Sequence, residues 1–432
     1  MDLQTVGIAA ICVLFVLLLI GMPIGFALAF VGFWGISYIT DISVALPTLL
    51  RSFDTTFSSY SFTVIPLFVL MGELATVSGL SQGIYEMADK WLRRLPGGLG
   101  IATIGACAGF SAICGSSVAT AATLGRVALP EMKKYGYDLH LATGSVAAGG
   151  TLGFLIPPSI GFVVYGILTE QSIGKLLVSG FIPGFMLTLA YIVIVMLWAI
   201  INPLAAPLNY DRIPFKDKIA TIRNAWELIV VFFLVMGGIY AGVFTPTEAG
   251  AVGAFSLFSV TLLKRKLTLD ALLKALTETT RVSVMIFIIL SGAYLFTYFM
   301  ALTMIPTNLS LWLSGMNLSR YVILSIILIG YLLLGCFLDA TSMMVLTLPV
   351  IFPTIIGLGF NPIWFGVISV LMMEAGLITP PLGLNIFVIS GVARVPMEIV
   401  FKGAFPFLTA ILLVVVLVTI FPEIVLFLPG LL

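Results

Sequence analysis

The sequence predicts an all-α polytopic membrane protein made of two inverted repeats. Three observations predict it: a composition too apolar for water, apolar segments too long for single helices and interrupted near their middles, and one offset that lays the second half on the first. Of 432 residues, 60% are AVILMFWYC and 9% are charged, whereas a soluble domain is about a quarter charged. That excludes a soluble enzyme and a disordered chain. The 20 Lys and Arg against 19 Asp and Glu leave a net charge of +1, too little field to hold nucleic acid. The apolar runs are continuous rather than alternating, which excludes a β-barrel. At roughly 20 residues per crossing the chain has room for ten or more.

Hydropathy and turn residues divide the chain into segments at 5–20, 23–39, 62–80, 97–134, 140–170, 176–201, 224–243, 246–263, 279–302, 320–356, 362–394 and 403–428. Residues 1–20 lack a basic leader region and a small-residue cleavage site, so they read as the first crossing. Segments 97–134 and 320–356 carry the clusters GFSAICGSSVAT and GCFLDATS and read as re-entrant hairpins. Segments 140–170 and 362–394 each contain Pro-Pro. Proline removes a backbone donor and pushes the preceding residue out of the α region. The carbonyls it frees survive at membrane depth only where protein or a polar cavity receives them. Each of these two segments is therefore a broken helix that points to a binding site.

A shift of 223 residues puts Gly136 on Gly359, Gly153 on Gly376, Pro157-Pro158 on Pro380-Pro381, Gly180 on Gly403 and Pro183 on Pro406. The chain thus divides into repeats 1–223 and 224–432, each with five crossings, one hairpin and one broken helix. Five is odd, so the second copy is inverted, the plan of secondary transporters whose sites form at discontinuous helices near the midplane. Lys90, Arg93, Arg94, Lys133 and Lys134, the basic residues of 212–223, and Lys264, Arg265 and Lys266 all fall on one face by this count. The positive-inside rule makes that face cytoplasmic, with both termini outside. The first hairpin then enters from the cytoplasm and the second from the opposite side. Segment 81–95, with Ile84, Met87 and Trp91 on one face, and segment 304–316 read as interfacial helices. They either brace a mobile hairpin domain on a scaffold or serve as plain connectors.

The tips and breaks carry the candidate chemistry. Hard monovalent cations take neutral oxygens, and a half-helix C-terminus adds a negative dipole end. The candidate cation ligands are Ser111, Gly115, Ser116 and Ser117 at the first tip with Gly153 and Pro157 at the facing break. The second half offers Asp339 and Thr341 with Gly376 and Thr379. A carboxylate at this depth must be paired or face a cavity, so Asp339 either ligates a cation or braces its tip. Glu73 and Glu374 are either protonatable coupling groups or neutral interior residues. Half-helices beginning near Ser117, Ser159, Thr341 and Leu382 aim backbone N–H groups at the middle, which suits an anionic substrate. Ser117, Pro158, Ser159, Thr341, Pro381 and Asn385 are the candidates to bind it. The single histidine, His140, reads as structural. No catalytic pair and no nucleotide-binding loop is found, so the chain does not read as an enzyme.

Four runs then become recognisable: GVFTPTEAGAVGA (242–254), GSSVATAATLGRVALPEM (115–132), YGYDLHLATGSVAAGGTLGFLIPPSI (135–160) and LITPPLGLNIFVISGVA (377–393). Together they resemble the large membrane subunit of tripartite ATP-independent periplasmic (TRAP) transporters, the DctM-like family, over essentially the whole chain. The resemblance implies a permease of the bacterial inner membrane working with a small four-helix membrane subunit and a periplasmic substrate-binding protein. It implies sodium-coupled, elevator-type uptake of an organic anion: a C4-dicarboxylate, sialic acid, or another sugar or keto acid. It also implies sodium sites at the two tips and facing breaks. Competing readings are a stand-alone sodium/carboxylate symporter, a sodium/proton antiporter, and a channel whose hairpins form a filter.

Overall fold

The computed structural model describes residues 2–207, 213–223, 225–308 and 318–432. Among these residues every secondary-structure element is a helix. The first half runs α1 (Leu3–Leu19), α2 (Ile24–Ile39), α3 (Ile42–Ser58), α4 (Val64–Val77), α5 (Leu80–Leu92), α6 (Gly98–Cys114), α7 (Ser117–Lys134), α8 (Leu139–Leu155), α9 (Ile160–Thr169), α10 (Ile173–Ser179) and α11 (Phe181–Ile201). After α12 (Phe215–Ile222), the second half runs α13 (Trp226–Tyr240), α14 (Pro246–Leu263), α15 (Leu269–Thr303), α16 (Arg320–Gly335), α17 (Ala340–Gly357), α18 (Pro362–Gly376), α19 (Leu384–Ala393), α20 (Met397–Ile420) and α21 (Glu423–Leu426). Six helical stretches among the described residues are long and apolar enough to cross a membrane, or up to eight if each bent pair is one span.

Local chemistry sets the same boundaries at the same offset. Helices α7 and α17 begin and end 223 residues apart. The Asp138 carboxylate caps α8 by accepting from the His140 and Leu141 N–H groups at 2.9 and 3.2 Å. Asn361, its counterpart, accepts from Ile363 and Trp364 at 2.9 and 3.3 Å. Such caps satisfy donors that the first turn of a helix leaves free.

Two bundles result. In one, α2 packs on α15, α4 on α14 and α15, and α13 on α14. The α2–α15 crossing is close because neither helix has a side chain there: a methyl on Gly292 would stand 2.3 Å from the Gly25 carbonyl oxygen. The other bundle holds both hairpins (α6–α7, α16–α17), both broken helices (α8–α9, α18–α19), α11 and α20. There a methyl on Gly144 would stand 2.2 Å from the Gly403 carbonyl oxygen, the small-residue contact by which membrane helices approach. The halves interlock in this bundle, since α7 packs on α19 and α17 packs on α9. Helix α5 lies between the bundles, with Leu80, Ile84, Tyr85 and Ala88 buried.

The structure departs from the sequence reading in several places. Helix α3 occupies the stretch 40–61, which hydropathy leaves blank, and α15 is 35 residues long rather than spanning 279–302. Polar residues explain both: Arg51 and Asp54 interrupt one, while Lys274, Glu278 and Arg281 interrupt the other. Helix α20 begins at Met397, not 403. Trp91 does not share the buried face of α5. It is 42% exposed, sits edge-on to Phe215 and donates from its indole to the Lys218 carbonyl at 3.2 Å. The face is instead fixed by Asp89, whose carboxylate accepts from Arg93 Nε at 2.8 Å. That bond holds the Arg93 guanidinium above its already high pKa. Residues 309–316 of the second expected arm lie outside the described residues.

Candidate functional site

The first hairpin turns at Gly115 and Ser116. Gly115 has a φ of +64°, which suits glycine, and Ser116 caps α7 by accepting from the Ala119 N–H at 3.4 Å. This tip lies directly on the first break. Ile160 N–H donates to the Gly115 carbonyl at 3.4 Å. A methyl on Gly115 would come within 2.7 Å of the Pro158 carbonyl, and one on Gly153 within 2.5 Å of the Ser116 carbonyl. Only glycine lets the two interrupted backbones touch. The break itself is closed by Ser159, whose hydroxyl donates to the Phe154 carbonyl and accepts from the Phe162 N–H.

The second half repeats this arrangement with different side chains. Asp339 caps α17 in the place that Ser116 holds on α7. It accepts from the Ser342 N–H at 3.1 Å and also from the Ser342 hydroxyl. These contacts brace the tip. Gly376 meets Gly335 of the second hairpin, where an added methyl would stand 2.5 Å from the partner Cα. Thr379 returns its hydroxyl to the Ala375 carbonyl at 2.6 Å.

A cavity of about 480 Å³ lies where the two tips meet α4 and α15. Its lining joins Ser116, Ser117, Val118 and Ala119 of the first tip to Asp339, Ala340 and Thr341 of the second. These are the capping residues and first turns of α7 and α17, so two helix N-termini face one space, where their exposed N–H groups favour an anion. Glu73 and Gly72 of α4 and Met285 of α15 close the other wall, and no Lys, Arg or His is among the lining residues. A second space, about 740 Å³, lies on the other side of Asp339, between the α1–α2 turn and α15, and includes Arg281.

The expected site residues therefore separate into two groups. Ser116, Ser117, Asp339 and Thr341 line the cavity together. Ser111, Gly115, Gly153, Pro157, Gly376 and Thr379 stand behind it, forming or packing the tips and breaks. Pro158, Ser159, Pro381 and Asn385 lie outside the lining. Ser159 is fully buried and spends its hydroxyl across the break. Asn385 is fully buried and donates to the Ala147 carbonyl at 3.2 Å. Pro381 faces outward.

Sequence reasoning missed one contact outright. The Ser117 hydroxyl donates to Glu374 Oε1 at 2.6 Å across 257 residues. Glu374 is fully buried and its other oxygen has no partner. Nothing in the pattern of either segment pairs them. The only signal was that both flank an interruption, one just after a tip and the other just before a break.

A family model described as "Tripartite ATP-independent periplasmic transporter, DctM component" matches residues 11–424. The C4-dicarboxylate TRAP transporter large permease protein DctM of Pseudomonas aeruginosa is 36% identical over 92% of this chain and 93% of its own length. The sialic acid TRAP transporter large permease protein SiaM of Vibrio cholerae is 31% identical over 96% of each chain. Among solved structures, the YdaH transporter of Alcanivorax borkumensis shares the fold, with a TM-score of 0.65 at 13% identity over 88% of this chain and 89% of that one. These relatives are transporter permeases, not enzymes. The chain belongs to the family of TRAP transporter large permease subunits.

Proposed function

We propose that this permease takes up an organic anion by sodium-coupled alternating access in the bacterial inner membrane. In this reading a periplasmic binding protein delivers the anion, and a small four-helix membrane subunit completes the complex. The observation that carries it is the cavity faced by the first turns of α7 and α17. Two helix N-termini and hydroxyls suit a carboxylate, and the absence of a lining cation leaves sodium ions to balance the charge. Ser111 Oγ and Thr120 Oγ1 at the first tip are buried without partners, neutral oxygens of the kind such a cation takes. The substrate class is that of the relatives, a C4-dicarboxylate, sialic acid or another sugar or keto acid.

The transport motion we assign is an elevator movement of the hairpin bundle against the bundle of α2, α4, α14 and α15. Its support is that the cavity lies on the boundary between them, with Ser117 and Thr341 on one side and Glu73 and Met285 on the other. The two repeats are read as inverted, with five crossings each, both termini periplasmic and the basic loops cytoplasmic. Proteoliposome uptake tests the reading. Labelled C4-dicarboxylate, sialic acid or keto acid should accumulate when the permease, the small subunit, the binding protein and an inward sodium gradient are all present. Uptake unchanged without sodium, or by this chain alone, would contradict it.

A further inference from the structure

We infer that this subunit carries a binding site for the headgroup of an anionic phospholipid, in a basic pocket between the base of α5 and the ends of α13 and α14. The pocket holds about 400 Å³ and is lined by Gly79, Gln82, Glu86, Arg223, Trp226, Glu227, Lys264 and Lys266 among others. Its charges do not cancel. Glu86 is paired with Lys90 at 2.8 Å, and Glu227, 1% exposed, is paired with Lys264. Among the described residues, Arg223 and Lys266 have no carboxylate within ion-pair distance. Lys266 is held over the α4–α5 junction, where a methyl on Gly79 would stand 2.7 Å from its ammonium.

Position identifies the ligand as a lipid. The pocket sits where α13 starts and α14 ends, so it marks the level at which two apolar helices leave the bilayer. The adjoining turns of α13 and α14 expose the apolar side chains Ile229, Val230, Leu262 and Leu263, and Trp226 is among the lining residues. Two cations without a carboxylate partner among the described residues, beside exposed apolar side chains of α13 and α14, match a phosphodiester with acyl chains, and basic pockets between membrane helices bind such headgroups. A soluble phosphate would use the cations but leave the exposed apolar side chains beside them without a role. A bound headgroup would tie the base of α5, which packs on the first hairpin, to α13 and α14.

The test uses the full chain in detergent, with phosphatidylglycerol or phosphatidylcholine added and retained lipid counted by native mass spectrometry. Phosphatidylglycerol should stay bound and raise the unfolding temperature with concentration, while phosphatidylcholine should do neither. Each cation near the headgroup contributes on the order of 1 kcal/mol. The double variant Arg223→Gln, Lys266→Gln should therefore bind phosphatidylglycerol about thirtyfold more weakly. Lys266→Gln alone should lose about fivefold, and Lys266→Arg should keep the lipid. Equal retention by wild type and the Lys266→Gln variant would overturn the assignment. So would stabilisation by inorganic phosphate with no retained lipid. Protection of Lys266 from acylation by the small subunit in phosphatidylcholine vesicles, and not by phosphatidylglycerol, would assign the pocket to a protein contact instead. None of these readouts depends on transport.

Discussion

The two interrupted units of the hairpin bundle occupy matching positions and differ in how they are closed. At the first, Pro157, Pro158 and Ser159 are all buried, and the tip at Gly115 rests on the Pro158 carbonyl. At the second, Pro380 and Pro381 are exposed and Leu382 is 50% exposed, although Gly376 behind them is packed against Gly335. The caps differ as well. Ser116 holds one long neutral hydrogen bond, whereas Asp339 holds two and borders both large cavities. One break is thus sealed and the other open. The shared parts, glycines and prolines, are what the fold requires, and the parts that differ are free to set ligand access.

The largest effects should come from what the units share. Gly153→Val and Gly376→Val each push a branched side chain into a neighbouring backbone 2.5 Å away. Overpacking costs typically about 1–3 kcal/mol and more where backbone must move. Both variants should lose folded protein, seen as a collapsed gel-filtration peak, while Gly330→Ala, with open space around it, should not. A folded Gly153→Val variant with normal uptake would break the equivalence.

Next is the bond that joins the halves. Ser117→Ala leaves Glu374 buried with neither oxygen satisfied, at a cost of about 1–3 kcal/mol. Adding Glu374→Leu should recover part of that loss, and a double-mutant cycle in thermal unfolding measures the coupling. Additive losses would show that the two residues do not act together. Smaller still is the difference between the caps. Asp339→Ala should cost about 1–2 kcal/mol and Ser116→Ala about 0.5 kcal/mol. Sodium activation curves of the same variants should shift more for Asp339→Ala, and equal curves would remove the distinction. Finally, in a background lacking Cys12, Leu382→Cys should react rapidly with a thiol reagent and Ser159→Cys slowly, with Ser159→Cys the less stable of the two. Equal rates would contradict the sealed and open assignment.

Much of this architecture was legible because proline and glycine act locally. The Pro-Pro pairs and the 223-residue offset marked both breaks, and Ser116 and Asp339 sit where a helix start needs a cap. Tertiary contacts were not legible. The Ser117–Glu374 bond spans 257 residues, and nothing in the sequence pattern indicates that the Ser159 hydroxyl bridges to the Phe154 carbonyl. Helix α3 escaped because hydropathy cannot register an amphipathic helix with Pro47 inside it.

The proposed elevator motion places the movement at the cavity between the bundles. Ala119 of α7 and Met285 of α15 line it from opposite sides. With the native cysteines replaced, Ala119→Cys and Met285→Cys should be joined by a short bifunctional thiol reagent. Sodium-driven uptake should stop on joining and return when a cleavable linker is cut. Uptake at the wild-type rate with the pair fully joined would contradict the account.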